Sequence, residues 1–373
     1  MTQADLTRYN LGKTLDNLMN IDPRGYGVCS ILYRGALELS RGEPLTMYAA
    51  DRLLSVLKEG DRVCIITGFI LPPFNKQETD GPVGAAALAR TLARACGVRP
   101  LFVVPEEAGP AMERLSALME FSAETLVFTK DAARACEEAD RIIGPGKAPA
   151  FCIAIEAAGA NSKGIYHNAL GIDVSSLEAK SDVLFNRLQE KKVPTLAIGD
   201  LGNECGMGAL GAHTARYVPY AAECSCGCGG GAAAHSRADT VLSATVSNWG
   251  AWGIASAVAW LTRNPLALYS PELEERALGA ANECGLIDMY GKAIPAVDGM
   301  DIEKNKALIA LMNGSVRSAL ELEETCKVWF EKTIAGGFFN FLPGLKSGRE
   351  EGTDREASVS PSAGMPAAAG LGV

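Results

Sequence analysis

The fold is decided by residues 193–208, which read VPTLAIGDLGNECGMG. The first part, 193–198, is short, apolar and uncharged, as is typical of a strand buried on both faces of a parallel sheet. The second part brings Asp200, Asn203 and Glu204 together with four glycines, which let the backbone turn sharply and approach a ligand closely. Ligands of open α/β sheets bind beyond the carboxyl ends of the strands, so this stretch predicts a strand that leads into a functional site.

Strand and helix patterns alternate around this stretch. Apolar runs predict strands at 62–68, 101–104, 125–128, 150–155, 194–198 and 240–244. Amphipathic and small-residue segments predict helices at 11–19, 29–39, 47–57, 82–96, 111–121, 249–261, 271–284 and 302–334. The alternation predicts an α/β protein with a Rossmann-like, doubly wound, mostly parallel sheet and helices on both faces.

Three regions are predicted along the chain. Residues 1–60 form a helical N-terminal preface packed on the core, and 61–345 form the α/β domain with a helical C-terminal segment. Residues 346–373 form a disordered tail, because their charged and Ser, Pro, Ala and Gly-rich sequence cannot bury enough apolar area.

The amino-acid composition and net charge favour some classes of protein and argue against others. The 373 residues are 48% hydrophobic and 21% charged, which indicates a globular protein with a large core. A net charge of −9 argues against a nucleic-acid partner and favours a small-molecule substrate. We expect no membrane partner and a cytoplasmic location, because the sequence shows neither a signal-peptide pattern nor an apolar run that could span a bilayer. A homo-oligomer is compatible with this composition.

Polar residues follow the first predicted strand. Thr67 and Gly68 end that strand, and Glu78 and Asp80 lie just before the predicted helix 82–96. Thr79 or Asp80 can cap this helix by accepting a backbone N–H bond. Capping of the helix explains the presence of one of the two acids, Glu78 and Asp80, and leaves the other available for a functional role.

The fourth predicted strand ends at Glu156 and opens into a long polar loop that contains His167, Asn168 and Asp173. Loops of this length between sheet elements are more often functional than not. His167 could act as a general base, since its ordinary pKa is close to neutral pH. The alternative, a hydrogen-bonding histidine without a catalytic role, is the more frequent case.

Residues 224–231 read CSCGCGGG. Their C-x-C-x-C spacing lacks the paired C-x-x-C knuckles of zinc ribbons and a fourth ligand, so the sequence disfavours zinc here. The glycines, Gly229 and Gly230 among them, instead predict a backbone nest for a carboxylate or phosphate. Ser247 and Asn248 precede a small-residue helix, where they can serve as N-caps or as part of an anion site.

Taken together and in order, these motifs resemble the C-terminal domain of the D-glutamate cyclase family over about residues 10–330. The matching segments are 67–69, 78–82, 166–173, 199–208, 226–231 and 247–250. The resemblance implies an α/β lyase (hydro-lyase) of D-amino acid metabolism that cyclises D-glutamate to 5-oxo-D-proline (5-oxoproline) with loss of water. Longer members carry a separate hydro-lyase-like N-terminal domain. Ala169 and Leu170 stand where the resemblance leads us to expect methionine and a carboxylate-binding arginine.

Cyclisation needs a base for the amine and an acid for the departing oxygen, and clustered carboxyls can supply both. We therefore take Glu204 and Glu78 as acid/base candidates, and Asp200 and Asp80 as orienting or cation-holding residues. The candidate substrate-binding residues are Thr67, Gly68, Glu156, Asn168, Asp173, Asn203, Gly229, Gly230, Ser247 and Asn248.

Two alternatives remain open. In the first, the chain is a Mg²⁺-dependent hydrolase or phosphatase-like enzyme whose cation is held by Asp200, Glu204 and Asp80, since hard carboxylate oxygens suit Mg²⁺. In the second, it binds an amino acid without turnover. The sequence establishes no cofactor beyond this divalent cation as a candidate.

Overall fold

The structure is a computed structural model that describes residues 2–325 and 327–337. Its α-helices are α1 (Gln3–Met19), α2 (Val28–Leu39), α3 (Leu45–Val56), α4 (Pro82–Cys96), α5 (Gly109–Leu118), α6 (Ala132–Ile142), α7 (Ser181–Glu190), α8 (Gly211–Tyr217), α9 (Ser247–Leu261), α10 (Pro271–Glu283), α11 (Ile302–Thr325) and α12 (Lys327–Ala335). Its strands are β1 (Arg62–Gly68), β2 (Ile70–Leu71), β3 (Lys76–Gln77), β4 (Arg99–Val104), β5 (Glu124–Val127), β6 (Phe151–Ala157), β7 (Thr195–Gly199), β8 (Thr240–Ser243), β9 (Ala296–Val297) and β10 (Met300–Asp301). The predicted tail, 346–373, lies outside the described residues.

Six strands form one sheet in the order β5-β4-β1-β6-β7-β8, and every neighbouring pair is parallel. Numbered along the chain, these six strands lie in the order 3-2-1-4-5-6, which is the Rossmann order. The predicted Rossmann-like sheet is therefore confirmed. The order reverses between β1 and β6, so the carboxyl ends of these two strands mark the topological switch point where ligands of this fold bind.

Helices cover both faces of the sheet. Successive residues of a strand point to opposite faces. In β7, Ile198 lies against Gly250 of α9. A Cβ atom placed on Gly250 would be 2.8 Å from Ile198 Cγ2. Ala197, the residue before Ile198, faces the side of the sheet on which Phe185 of α7 lies. A Cβ atom placed on Gly206 would be 2.6 Å from Ala197 Cβ and 3.1 Å from Phe185 Cζ. Helices α9 and α7 thus pack on opposite faces.

The first three helices are held together by one buried carboxyl. Asp16 of α1 accepts hydrogen bonds from the backbone N–H groups of Leu45 and Thr46 at the start of α3, at 2.7 and 3.0 Å. The Tyr33 hydroxyl of α2 donates to the same carboxyl at 2.9 Å. Helices α1 and α3 also pack against α9. This arrangement fixes the turn between α1 and α2, which reaches the carboxyl edge of the sheet.

The structure differs from the sequence prediction in a few elements. Helices α6, α7 and α8 are not predicted, and the predicted helix 302–334 is described as α11 and α12. Helix α6 is amphipathic, but its buried stripe is narrow and consists of Ala135, Ala139 and Ile142. Gly97 ends α4 with φ of +67°, which is typical of the glycine that follows a helix. Within the described ranges, no helix has the length and apolar character needed to cross a bilayer.

Candidate active site

A cavity of about 430 Å³ lies at the carboxyl edge of the sheet, beside the switch point. Its wall includes Phe69 and Glu78 from the segment after β1, Glu156 from β6, and Asp200 and Asn203 from the turn after β7. The volume falls within the range of about 300–1,000 Å³ that is usual for small-molecule sites. Glu78 and Asp200, which are 122 residues apart in the sequence, therefore line one cavity, as the strand order requires.

Three buried carboxyls cluster at this edge of the sheet: Glu156 and Asp200, which line the cavity, and Glu204, which is not part of its wall. Ligand oxygens of Glu156, Asp200 and Glu204 all lie within 4.8 Å of one another. Burial raises the pKa of Glu156 and of Asp200 well above the ordinary value, and the charges of the neighbouring carboxylates raise both further. The pKa of Glu78 is also raised well above its ordinary value, first by burial and then by the charge of Asp298. Burial therefore favours the protonated form of Glu78, Glu156 and Asp200.

Glu156 reaches the cavity through an irregularity in β6. The pairing of β1 with β6 passes from Ile155 to Ala157 and skips Glu156, whose φ is +41°. A left-handed conformation at a non-glycine residue costs about 1–3 kcal/mol and is concentrated at functional sites. The bulge re-aims the side chain, and the Ser247 hydroxyl donates to Glu156 Oε2 at 2.6 Å.

Helices α4 and α9 cap each other, which corrects the predicted capping. Asp80 accepts hydrogen bonds from the backbone N–H groups of Ser247 and Asn248 at the start of α9, at 3.0 and 2.8 Å. Asn248 Oδ1 in turn accepts from Gly81 and Gly84 at the start of α4, at 2.9 and 2.8 Å. Asp80 Oδ1 also accepts from the adjacent Gly81 N at 3.0 Å, but Gly81 holds the N-cap position of α4 and Val246 that of α9. The predictions that Asp80 caps α4 and that Ser247 or Asn248 caps α9 are therefore wrong, because Asp80 binds the first N–H groups of α9 and Asn248 binds those of α4.

The environment of Asp80 is nonetheless unfavourable for a charge. Burial and the nearby charge of Asp298 raise its pKa to about 8, although the backbone N–H groups of Asn248, Ser247 and Gly81 lower it. The Thr79 hydroxyl donates to Ala296 O at 2.8 Å and takes no part in capping α4.

Glu204 closes the turn after β7. Its Oε1 accepts from Asp200 N and Leu201 N, both at 2.9 Å, and its Oε2 accepts from Gly202 N at 2.6 Å. Gly199 permits this close approach because it has no side chain. A Cβ atom at this position would lie only 2.8 Å from Glu204 Cδ. These three hydrogen bonds fix the Glu204 side chain within the turn and leave it few lone pairs for chemistry.

Arg24 and Asp298 belong to this site and are not predicted from the sequence. Both line the cavity, and Arg24 Nη1 forms an ion pair with Asp298 Oδ2 at 3.0 Å. Arg24 Nη2 donates to Thr245 O at 2.7 Å, whereas its buried Nε has no hydrogen-bond partner among the described residues. Burial opposes the charge, but Asp298 and Asp200 outweigh it and raise the pKa of Arg24. The Arg24 guanidinium places a positive charge at the cavity. Ala169 and Leu170, which stand where methionine and arginine are expected, also line the cavity and carry no charge.

The remaining candidates are distributed between the cavity and its surroundings. Asn168 and Asn203 line the cavity, while Ser247 and Asn248 lie buried beneath it. The structure places the other substrate-binding candidates away from the cavity wall: Thr67, Gly68, Asp173, Gly229 and Gly230. Thr67 is buried under Gly81, Gly68 lies against Pro105, Asp173 is exposed, and the two glycines follow the cysteines.

His167 is also outside the cavity wall. Its side chain is 1% exposed, and its Nε2 lies 3.2 Å from Cys226 Sγ. The interpretation of His167 as a general base for the cavity is therefore wrong, because its reactive nitrogen faces the cysteines.

The strand order and the acidic cavity at the switch point define a Rossmann-like α/β protein with a small-molecule site. The family described as "D-glutamate cyclase-like, C-terminal" matches residues 15–313, and the chain belongs to this family. The chain is also similar to the human protein named "D-glutamate cyclase, mitochondrial", with 27% identity over 327 residues. That match covers 83% of this chain and 47% of the human protein, so the chain spans about half the length of this curated relative.

Proposed function

We propose that this chain binds D-glutamate in the cavity and interconverts it with 5-oxo-D-proline and water. The observation that carries the proposal is the presence, in one cavity, of the Arg24 guanidinium and of three buried carboxyls with raised pKa values, Glu78, Glu156 and Asp200. Family membership and the printed name of the human relative support the same reaction.

Substrate binding uses the polar groups that the protein leaves available. Arg24 Nε is buried without a partner in the described part of the chain and can donate to the α-carboxylate of the substrate. Asn168 Oδ1 is occupied by the backbone N–H groups of Leu170 and Ile172, which leaves its amide nitrogen to donate to a carboxylate. Asn203 Nδ2 donates to His167 O at 3.0 Å, which leaves its Oδ1 to accept from the substrate ammonium. The apolar part of the wall excludes water from the chain of the substrate.

The reaction moves two protons from nitrogen to oxygen. The amine nitrogen bonds to the γ-carboxyl carbon, one C–O bond of that carboxyl breaks, and the oxygen leaves as water. Oxygens of Glu156 and Asp200 lie within 4.8 Å of each other, so repulsion between the two charges favours a state in which one carboxyl is ionised while the other is protonated. The exchange occurs twice. As the amine attacks, the ionised carboxyl takes a proton from the nitrogen and the protonated one gives a proton to a γ-carboxyl oxygen. As the C–O bond breaks, the two carboxyls reverse these roles, so the nitrogen loses its second proton and the oxygen gains its second and leaves as water. The pair ends with the proton count with which it began.

The other acids have supporting roles in this proposal. Glu204 holds the turn that carries Asp200, and Asp80 holds the start of α9 that carries Ser247. Ser247 in turn orients Glu156. Burial favours the neutral form of Glu78, so the two carboxylates of the substrate meet less repulsion at the wall than an ionised Glu78 would produce.

A second candidate rests on the geometry of Glu156, Asp200 and Glu204, whose oxygens lie within 4.8 Å of one another. Such a set of hard ligands suits Mg²⁺, and a dication would relieve the same repulsion that protons relieve. Glu204 Oε2 has one lone pair left for a metal. The three-carboxylate set contains Glu156 in place of the predicted Asp80. In this case the chain is a Mg²⁺-dependent hydrolase.

Incubation of the pure chain with D-glutamate, L-glutamate or 5-oxo-D-proline, in Mg²⁺ or in EDTA, tests the proposal. We expect 5-oxo-D-proline from D-glutamate in both media, and strong loss of product in Asp200→Asn but not in the exposed-site control Glu303→Gln. Conversion that requires Mg²⁺ would favour the second candidate. Saturable binding of D-glutamate without product in any medium would contradict both and indicate a binding protein.

A further inference from the structure

A second cluster of side chains lies outside the cavity, where the loop after β6 meets the loop after α8. It consists of His167, Cys224, Cys226 and Cys228, whose ligand atoms all lie within 4.8 Å of one another. We propose that these four residues bind a structural Zn²⁺ ion. The inference is independent of the proposed reaction.

The distances match a tetrahedral Cys₃His site. The sulfur of Cys224 lies 3.4 Å from that of Cys226 and 3.3 Å from that of Cys228. His167 Nε2 lies 3.2 Å from the sulfur of Cys226 and 3.8 Å from that of Cys228. Zn–S bonds of about 2.3 Å and Zn–N bonds of about 2.0–2.1 Å give tetrahedral edges of about 3.5–3.8 Å. The atoms therefore need to move by only a few tenths of an ångström.

The sequence argument against zinc fails because the fourth ligand is distant in the chain. The C-x-C-x-C spacing supplies three ligands from one loop, and the ligand missing from that pattern is His167, 57 residues before Cys224. Gly227 and Gly229, with φ of +76° and +72°, allow the short loop to turn all three sulfurs inward. The separations also exceed a bonded S–S distance of about 2.05 Å, so no pair is a disulfide.

Groups around the cluster suit metal-bound thiolates. Asn161 Nδ2 and Gly230 N donate to the Cys228 sulfur at 3.3 and 3.4 Å, and hydrogen bonds of this kind stabilise a negative sulfur. His167 Nδ1 has no hydrogen-bond partner in the described part of the chain, so the polar contacts of the imidazole ring are those of Nε2 with the cysteine sulfurs. Binding of Zn²⁺ would release the three thiol protons and leave a site with a net charge of −1.

The ion would fix one wall of the cavity. His167 O accepts from Asn203 Nδ2, and Asn203 lines the cavity. Ser225, between two of the cysteines, donates from its backbone N to Gly171 O at 3.0 Å and from Oγ to Leu170 O at 2.7 Å. Zn²⁺ thus joins the cysteine loop to the segment that carries Asn168 and Leu170. Soft thiolate ligands favour zinc over Mg²⁺, so this site and the carboxylate set select different metals.

The test is the metal content of the full chain, purified without chelators and measured by plasma mass spectrometry. We expect one zinc per chain, loss of most of it in Cys226→Ser, and full retention in Cys136→Ser, which alters an exposed cysteine on α6. Zinc content that is unchanged in Cys226→Ser, or absent even after incubation with Zn²⁺, would overturn the proposal.

Replacement of the metal in the wild-type chain by Co²⁺ gives a second readout that does not depend on a variant folding. We expect an intense visible absorption of tetrahedral Co²⁺ and a thiolate-to-metal charge-transfer band in the near ultraviolet. Removal of the metal should increase amide hydrogen exchange in 166–173 and 218–232. A Co²⁺ spectrum without the thiolate band would exclude the cysteine ligands.

Discussion

Raising the pH from 6 to 9 should destabilise the folded chain, because its buried acids hold protons that the unfolded chain does not. Asp80 shows the size of the effect. Its pKa is about 8 in the folded protein, against an ordinary value of 3.8. Between these two values the folded chain binds a proton that the unfolded chain releases, so the free energy of unfolding falls as the pH rises. At about 1.4 kcal/mol per pH unit over the roughly two units in which Asp80 is protonated, the loss is about 3 kcal/mol.

Other buried acids add to this loss. Burial raises the pKa of Glu178 and of Glu274 to about 8 as well, and Glu78, Glu156 and Asp200 shift in the same direction. Removal of one charge should therefore be stabilising. Glu78→Gln replaces a carboxyl that makes no hydrogen bond among the described residues, and we expect it to raise stability at pH 9 by about 1–2 kcal/mol. At pH 5 the gain should be smaller, because the raised pKa of Glu78 favours its neutral form as the pH falls.

Urea unfolding at pH 5, 6, 7.5 and 9, at constant ionic strength, measures both effects. Glu303→Gln is the matched control, since the Glu303 side chain is 80% exposed and its loss of charge should change stability little at any pH. A free energy of unfolding that is constant or rises from pH 6 to 9 would refute the reasoning. So would a gain in Glu78→Gln that is the same at pH 5 and pH 9.

Two further substitutions test the framework of the site. Asn248→Ala should cost about 1–3 kcal/mol, because the buried Gly84 N loses its acceptor while Gly81 N keeps Asp80 Oδ1 at 3.0 Å. Asn264→Ala, at a half-buried site where the side chain donates to Arg94 O at 3.4 Å, should cost less in the same unfolding assay. An equal effect of both changes would contradict the reciprocal capping. Arg24→Gln should raise KM for D-glutamate about 10- to 100-fold, because a charged hydrogen bond is lost, with a smaller change in kcat and partial recovery in Arg24→Lys. A change confined to kcat would contradict a binding role for Arg24.

Much of the fold could be predicted because its signals are local. The apolar run 193–198 and its following glycines define β7 and the turn after it, and β1 and α4 follow equally from their own residues. The carboxyl ends of parallel strands meet at one edge, so the convergence of Glu78 and Asp200 is a consequence of the strand order.

The parts that were missed depend on contacts between distant segments. Arg24 comes from the turn between α1 and α2, where Pro23 and the glycines indicate only a break in the helices. Asp298 lies in the turn between β9 and β10, which reads as an ordinary Asp-Gly turn. The exchange of caps between Asp80 and Asn248 likewise joins residues 168 apart, and no pattern within one helix could indicate it.

Oxygen exchange in ¹⁸O-labelled water tests the proposed reaction most directly, because it reports cleavage of the γ C–O bond even where little product accumulates. Each cycle of ring closure and opening returns D-glutamate with a solvent oxygen in its γ-carboxyl. We predict that the pure chain introduces label into the γ-carboxyl of D-glutamate and not into its α-carboxyl, and that Asp200→Asn abolishes the exchange while Glu303→Gln retains it. D-glutamate that binds to the chain and remains unlabelled after prolonged incubation, with and without Mg²⁺, would contradict the proposal.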